Sequence, residues 1–219
     1  KVTEVATLDI LWRRHDPNTG NKRFIIVEAS SGDTISNIYR YSVNNERCRI
    51  AFGPVKHSGT YYFYYLPYQV QENWGFYDKD YLKPEKSPST KWVNENKLGN
   101  AINFKNYPVA KLSGFQSRSA FDSFYPMEVI PLSSEKKVFL AKFDMDYLIF
   151  PEDRSDPIRM KDEIPLTWIQ KGPTGKFIAE AFKNEYFAFQ IGVYASKKDL
   201  KNVKVDFSVL ESGNYTIPE

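Results

Sequence analysis

The chain has 219 residues, 42% of them apolar and 16% aromatic, with 30 basic against 27 acidic side chains and a formal net charge of +3. The charges are mixed along the chain, with neither the basic stripe of a nucleic-acid binder nor an acidic tail, which excludes nucleic acid as a partner. A single cysteine, Cys48, excludes an intrachain disulfide and a multi-cysteine metal cluster, and no apolar run reaches the ~18 residues of a membrane-spanning helix.

A chain of this length is one large domain or two small ones, and all-β domains commonly reach it as a single unit. We expect one domain over residues 1–219. Arg13-Arg14-His15-Asp16 comes first, running into the turn Pro17-Asn18-Thr19-Gly20. It reads as a solvated strand end, because neighbours on a strand point to opposite faces and His15 and Asp16 need not cooperate. Strands are expected at Arg23–Ala29 and at Arg47–Phe52, the second holding Cys48 as a small buried residue and ending at Gly53-Pro54. Loop histidine His57 precedes Ser58-Gly59.

Residues 60–68 then pack five tyrosines, one phenylalanine and one leucine into nine positions. Alternation sends Tyr61, Phe63 and Tyr65 one way and Tyr62, Tyr64 and Leu66 the other. Such a strand sits centrally between two layers, or it shows one aromatic face to a ligand or partner. Aromatic stripes are usually core, so the buried reading leads.

Gln69–Asn106 breaks the strand pattern. It is polar, holds Pro84 and Pro88, and has weak periodicity, yet it carries Trp74, Phe76, Tyr77, Tyr81 and Trp92. A disordered linker would be poor in such rings, and a long aromatic insertion is more often functional or interface-forming than idle. Pyranose rings stack on Trp and Tyr while planar polar groups take the hydroxyls. The candidate carbohydrate or interface residues are therefore Trp74, Tyr77, Tyr81 and Trp92, with Gln69, Gln71 and Asn73. Short helices are expected at Ser117–Phe124 and Ser196–Leu200. Further strands are expected at Met127–Leu132, Lys137–Phe143, Tyr147–Pro151, Ile164–Gln170, Phe177–Phe182, Glu185–Ala195 and Val203–Leu210. Many short strands between Gly, Pro and Asn turns indicate an all-β, antiparallel β-sandwich with a long aromatic insertion and very little helix.

No catalytic motif emerges. Asp144 and Asp146 share a strand face, but the spacing is common and a solvent-facing hairpin explains it. Two histidines are too few for the usual zinc site. There is no phosphate-cradling glycine loop, GxSxG or HExxH. No cofactor is expected.

Arg49-Ile-Ala-Phe-Gly-Pro-Val55, Gly59-Thr-Tyr-Tyr-Phe-Tyr-Tyr-Leu-Pro-Tyr68, Trp74-Gly-Phe-Tyr77, Asn184–Ala195 and Val203–Leu210 together resemble the N-terminal region of glycoside hydrolase family 123-like proteins of Bacteroidota. The resemblance implies a β-sandwich that precedes a (β/α)₈ catalytic barrel, a carbohydrate setting, and export to the periplasm or outer-membrane surface. The start at Lys1 is that of a mature or trimmed form. The family's catalytic Asp-Glu pair belongs to the barrel, and Asp162-Glu163 lacks that surrounding. The expected function is a non-catalytic accessory domain that supports a downstream catalytic barrel and contacts glycan. One alternative is a structural or protein-interaction module whose aromatic surface packs on a neighbouring domain. A stand-alone carbohydrate-active enzyme is a further one.

Overall fold

The computed structural model describes residues 4–65, 67–73, 76–99, 104–116 and 125–217. Antiparallel strands dominate, and the α-helices are few and short. The fold class expected from the turn-bounded strand pattern is borne out at that level.

Strands β1 (Ala6–Ile10), β3 (Asn37–Val43) and β4 (Cys48–Gly53) form an antiparallel sheet in the order β1-β4-β3. Strand β2 (Phe24–Glu28) pairs antiparallel with β5 (Tyr61–Tyr65). The two sheets share one core of Leu8, Ile10, Trp12, Phe24, Ile26, Ile38, Cys48, Ile50 and Phe52. Alternation explains which side chains enter it. In β4, Cys48, Ile50 and Phe52 face the β2–β5 pair, while Ala51 faces the other way. That second face is covered by α1 (Thr90–Glu95), whose Trp92 joins Val5, Ala51 and Leu98. The β1-β4-β3 sheet is therefore a middle layer, apolar on both sides.

A separate apolar cluster lies later in the chain. Strands β8 (Tyr147–Asp153) and β9 (Phe189–Ala195) pair antiparallel and set Leu148 and Phe150 against Met127, Phe139, Ile164 and Trp168. Helices α2 (Ser133–Leu140) and α3 (Leu166–Lys171) close this cluster. Between β5 and α1 runs a hairpin of β6 (Tyr68–Asn73) and β7 (Phe76–Tyr81), and near the C-terminus a small one of β10 (Leu210–Ser212) and β11 (Tyr215–Ile217).

Several expected strands are something else. Lys137–Phe143 belongs largely to α2. Phe139 and Phe143 meet at a centroid distance of 5.1 Å, an i, i+4 contact that only a helical path supplies. Glu135 fixes its start by accepting the Leu132 N–H at 2.8 Å. Ile164–Gln170 belongs largely to α3, which follows Pro165 and ends at Gly172, where a φ of 81° suits glycine. Met127–Leu132 is a one-turn helix, Pro126–Glu128, followed by a single bridge from Val129 to Arg14. The tyrosine strand expected to reach Tyr68 stops at Tyr65, ahead of Pro67, which has no N–H to donate. Phe177–Phe182 and Val203–Val209 are irregular, Glu185–Ala195 shrinks to β9, and Ser196–Leu200 is a bend rather than a helix. The helix expected at Ser117–Phe124 lies outside the described residues.

Candidate functional site

The expected insertion site divides. Gln69 is exposed on β6. The backbones of Gln71, Asn73 and Tyr77 belong to the β6–β7 hairpin, with Gln71 opposite Asp78 and Asn73 opposite Phe76. Their side chains, and Trp74 altogether, lie outside the described part of the structure. Trp92 is only 6% exposed, and its Nε1 donates to the Glu4 carbonyl at 3.1 Å. It fills the core behind the β1-β4-β3 sheet and offers no ring to a ligand. The surrounding polar residues disguised a short helix with one inward ring.

Tyr81 ends β7 against a buried charge cluster that the sequence did not disclose. Arg14 and Asp16, two apart on one face, are buried and joined by a two-point pair, Nε to Oδ2 at 2.5 Å and Nη2 to Oδ1 at 3.2 Å. The solvated strand end expected here is thus a buried ion pair. Arg13, whose φ of 51° takes it out of the extended path, binds Glu135 at 2.7 Å, and His15 lies 3.3 Å from Glu128. Asn45 donates to the carbonyls of Arg14 and Asp16, which ties the loop down. Lys22 is buried beside them, its Nζ without a hydrogen bond and 3.6 Å from the centre of the Tyr81 ring. Burial pushes the Asp16 carboxyl upward, but the Arg14 hydrogen bond and charge outweigh it and hold it below its ordinary value. Burial moves the Lys22 amine downward, and the Asp16 charge only partly offsets that. Nearby, Arg40 clamps Glu85 with two bonds of 2.6 Å, and Glu85 also accepts the Phe24 N–H. The insertion is thereby fixed to the first core.

The other expected groups are structural. His57 Nδ1 meets Glu28 at 2.9 Å, and Ser30 and Ser31 donate to the same carboxylate. Burial raises the Glu28 carboxyl, but these bonds, led by Ser31 and His57, hold it low. Asp144 and Asp146 face solvent and pair with Lys197 and Lys198, but they lie in the loop that precedes β8 and not on the strand face of a hairpin. Glu163 is taken by Lys136 at 2.8 Å. Among the described residues, no group of three or more His, Cys, Asp and Glu could hold a metal ion. Cys48 is fully buried, and its burial pushes the thiol far up.

Two surfaces stand out instead. On β5, Tyr61, Phe63 and Tyr65 pack against the first core, while Tyr62 and Tyr64 point outward at 52% and 49% exposure. Their ring centroids are 6.3 Å apart and the planes are inclined at 49°. The strand is therefore not buried on both faces: β2–β5 is an outer layer, and one of its two aromatic faces is exposed. The second surface is the outward side of β8–β9. The even positions of these strands face the second core, and Tyr147, Ile149, Pro151, Phe189, Ile191 and Val193 face away from it. They line a trough of about 650 Å³, flanked by Val203 and Val205 of the irregular segment.

The family model described as "Glycoside hydrolase 123, N-terminal domain" matches residues 1–118, more than half of the chain. The chain belongs to this family. No match was found among curated proteins or among solved structures. The region matched to the glycoside hydrolase 123 N-terminal domain spans the first core, the tyrosine strand and α1. The second cluster, from Met127 to Trp168, follows it in the chain. An N-terminal domain implies a further domain in the parent protein. No described helix is long and apolar enough to cross a membrane.

Proposed function

We propose that this chain is a non-catalytic accessory region of a glycoside-hydrolase-like protein, and that it supports a downstream catalytic domain by packing against it through the outward face of β8–β9. One observation carries the reading. A two-stranded sheet that is apolar on both faces is built as an inner layer, and one face of β8–β9 has its core while the other, touched by Phe177 and the segment from Leu200 to Asp206, lines a trough of about 650 Å³. Tyr147, Phe189, Ile191 and Val193 keep 40–45% exposure on that face. Contiguous apolar area of that kind marks a protein interface. The non-catalytic assignment rests on the match to the N-terminal domain of the family and on the carboxylates that the sequence singled out, Asp144, Asp146 and Glu163, each held by a lysine. The reading includes an exported protein, at the periplasm or cell surface, where a polymer-degrading hydrolase meets its substrate.

Hydrogen exchange tests the packing. In the parent protein, residues 147–151 and 189–193 are expected to exchange more slowly than in this chain alone. Equal exchange rates sink the docking face. The chain alone is expected to turn over no member of an aryl-glycoside panel.

A further inference from the structure

We infer that Tyr62 and Tyr64 form a stacking platform for a neutral, extended glycan chain. The inference goes beyond the packing reading and uses a different surface; it rests only on the chain's place in a glycoside-hydrolase-like protein. Tyr61, Phe63 and Tyr65 supply the inward face of β5, so the outward rings contribute little to the shared core. Cross-strand neighbours Ile25 and Val27 lie opposite Tyr64 and Tyr62 and are half-buried, which gives the two phenols an apolar flank.

Size decides the occupant. An aromatic side chain buries roughly 150–250 Å², so two half-exposed rings offer on the order of 200 Å². A stable protein partner needs about 800 Å² on each side. The platform falls well short of that. Two consecutive sugar rings match the smaller area. Their axial C–H faces are weakly positive and meet the negative faces of the phenols. The two rings follow one another along the strand, 6.3 Å apart, so they address successive units of a chain rather than one monosaccharide. Polar groups stand at the ends: exposed Arg23 precedes β2 at the Tyr65 end, and exposed Thr60 precedes β5 at the Tyr61 end. Each can meet a hydroxyl beyond the stacked units. The four side chains between those ends, Tyr62, Tyr64, Ile25 and Val27, are uncharged and suit neutral stacked units.

The test is saturation-transfer NMR on this chain with hexasaccharides of β-linked glucose, xylose, mannose and N-acetylglucosamine. At least one is expected to take up saturation at its ring C–H protons. The double variant Tyr62→Ala/Tyr64→Ala should weaken that binding by about tenfold or more, with an unchanged circular dichroism spectrum. Tyr62→Phe/Tyr64→Phe should retain it, because the ring faces remain. Ile191→Asp, on the docking face, should leave it unchanged. The inference is overturned if no hexasaccharide binds or if the alanine pair binds as the parent does. It is also overturned if both rings are covered by protein in the parent molecule, as read by radical footprinting. Loss of docking with glycan binding intact would remove the packing proposal and spare this one.

Discussion

At the residue scale, Gly192 shows how one absent side chain sets a packing geometry. A Cβ built there would lie 2.2 Å from the Trp168 ring. That ring cannot retreat: it stacks on Phe150 at 4.3 Å with planes 4° apart, and its Nε1 donates to the buried Glu152 at 2.7 Å. Gly192→Ala is predicted to cost about 1–3 kcal/mol, read as a lower urea midpoint, and Trp168→Phe in the same chain should recover part of it. Cys48 is held as an unreactive thiol by its burial. A thiol reagent should leave it untouched in the native chain and modify it stoichiometrically in urea. Three carboxyls set the acid limit. Asp16 is held low by Arg14 against the effect of burial, Glu28 by Ser31 and His57 against burial, and Glu135 chiefly by Arg13. A folded value below the unfolded one adds stability that is complete above the unfolded pKa, about 4, and is lost as pH falls through the folded value. Thermal midpoints should therefore drop below about pH 4, and Asp16→Asn should flatten that drop.

At the scale of elements, the sequence disclosed what local chemistry alone decides. β2, β4, β8 and β9 are β-branched or aromatic runs closed by turns, and they appear where those runs lie. α2 and α3 were hidden because an apolar run of six to eight residues suits either a strand or a helix. The choice came from contacts with Met127, Leu148 and Phe150 that only the folded chain makes. Val203–Leu210 fails for a related reason: alternation gives a strand its faces, but a strand also needs a neighbour to pair with. The rings of the candidate site were hidden for the same reason: their number is legible in the sequence but their burial is not, and Trp92 went to the core while Tyr62 and Tyr64, in a run that resembles core, stayed outside. The tyrosine alternation did contain that signal. Trp92→Ala is predicted to cost about 3–5 kcal/mol, measured by chemical denaturation, with glycan affinity unaltered in the folded fraction.

At the scale of the whole molecule, two apolar clusters meet along a narrow, mostly polar seam. Ile130 N–H donates to the Arg13 carbonyl at 3.1 Å, Arg13 binds Glu135, and the Glu46 carboxylate accepts the Ser133 N–H at 2.8 Å. A seam of this kind couples two units weakly. Calorimetry is predicted to show two overlapping transitions, and Arg13→Ala should separate them, because it removes both the ion pair and a bond to the Ile130 carbonyl. The irregular segment beside β9 has a consequence for handling the chain by itself. Val203, Val205, Phe207 and Val209 are exposed at every second position, next to a strand whose pairing among the described residues is with β8 alone. An alternating apolar stripe near an open edge is a template for another copy of itself. Purified alone, the chain should self-associate as concentration rises, and Val205→Lys, a gatekeeper charge in the middle of that stripe, should keep it monodisperse in light scattering.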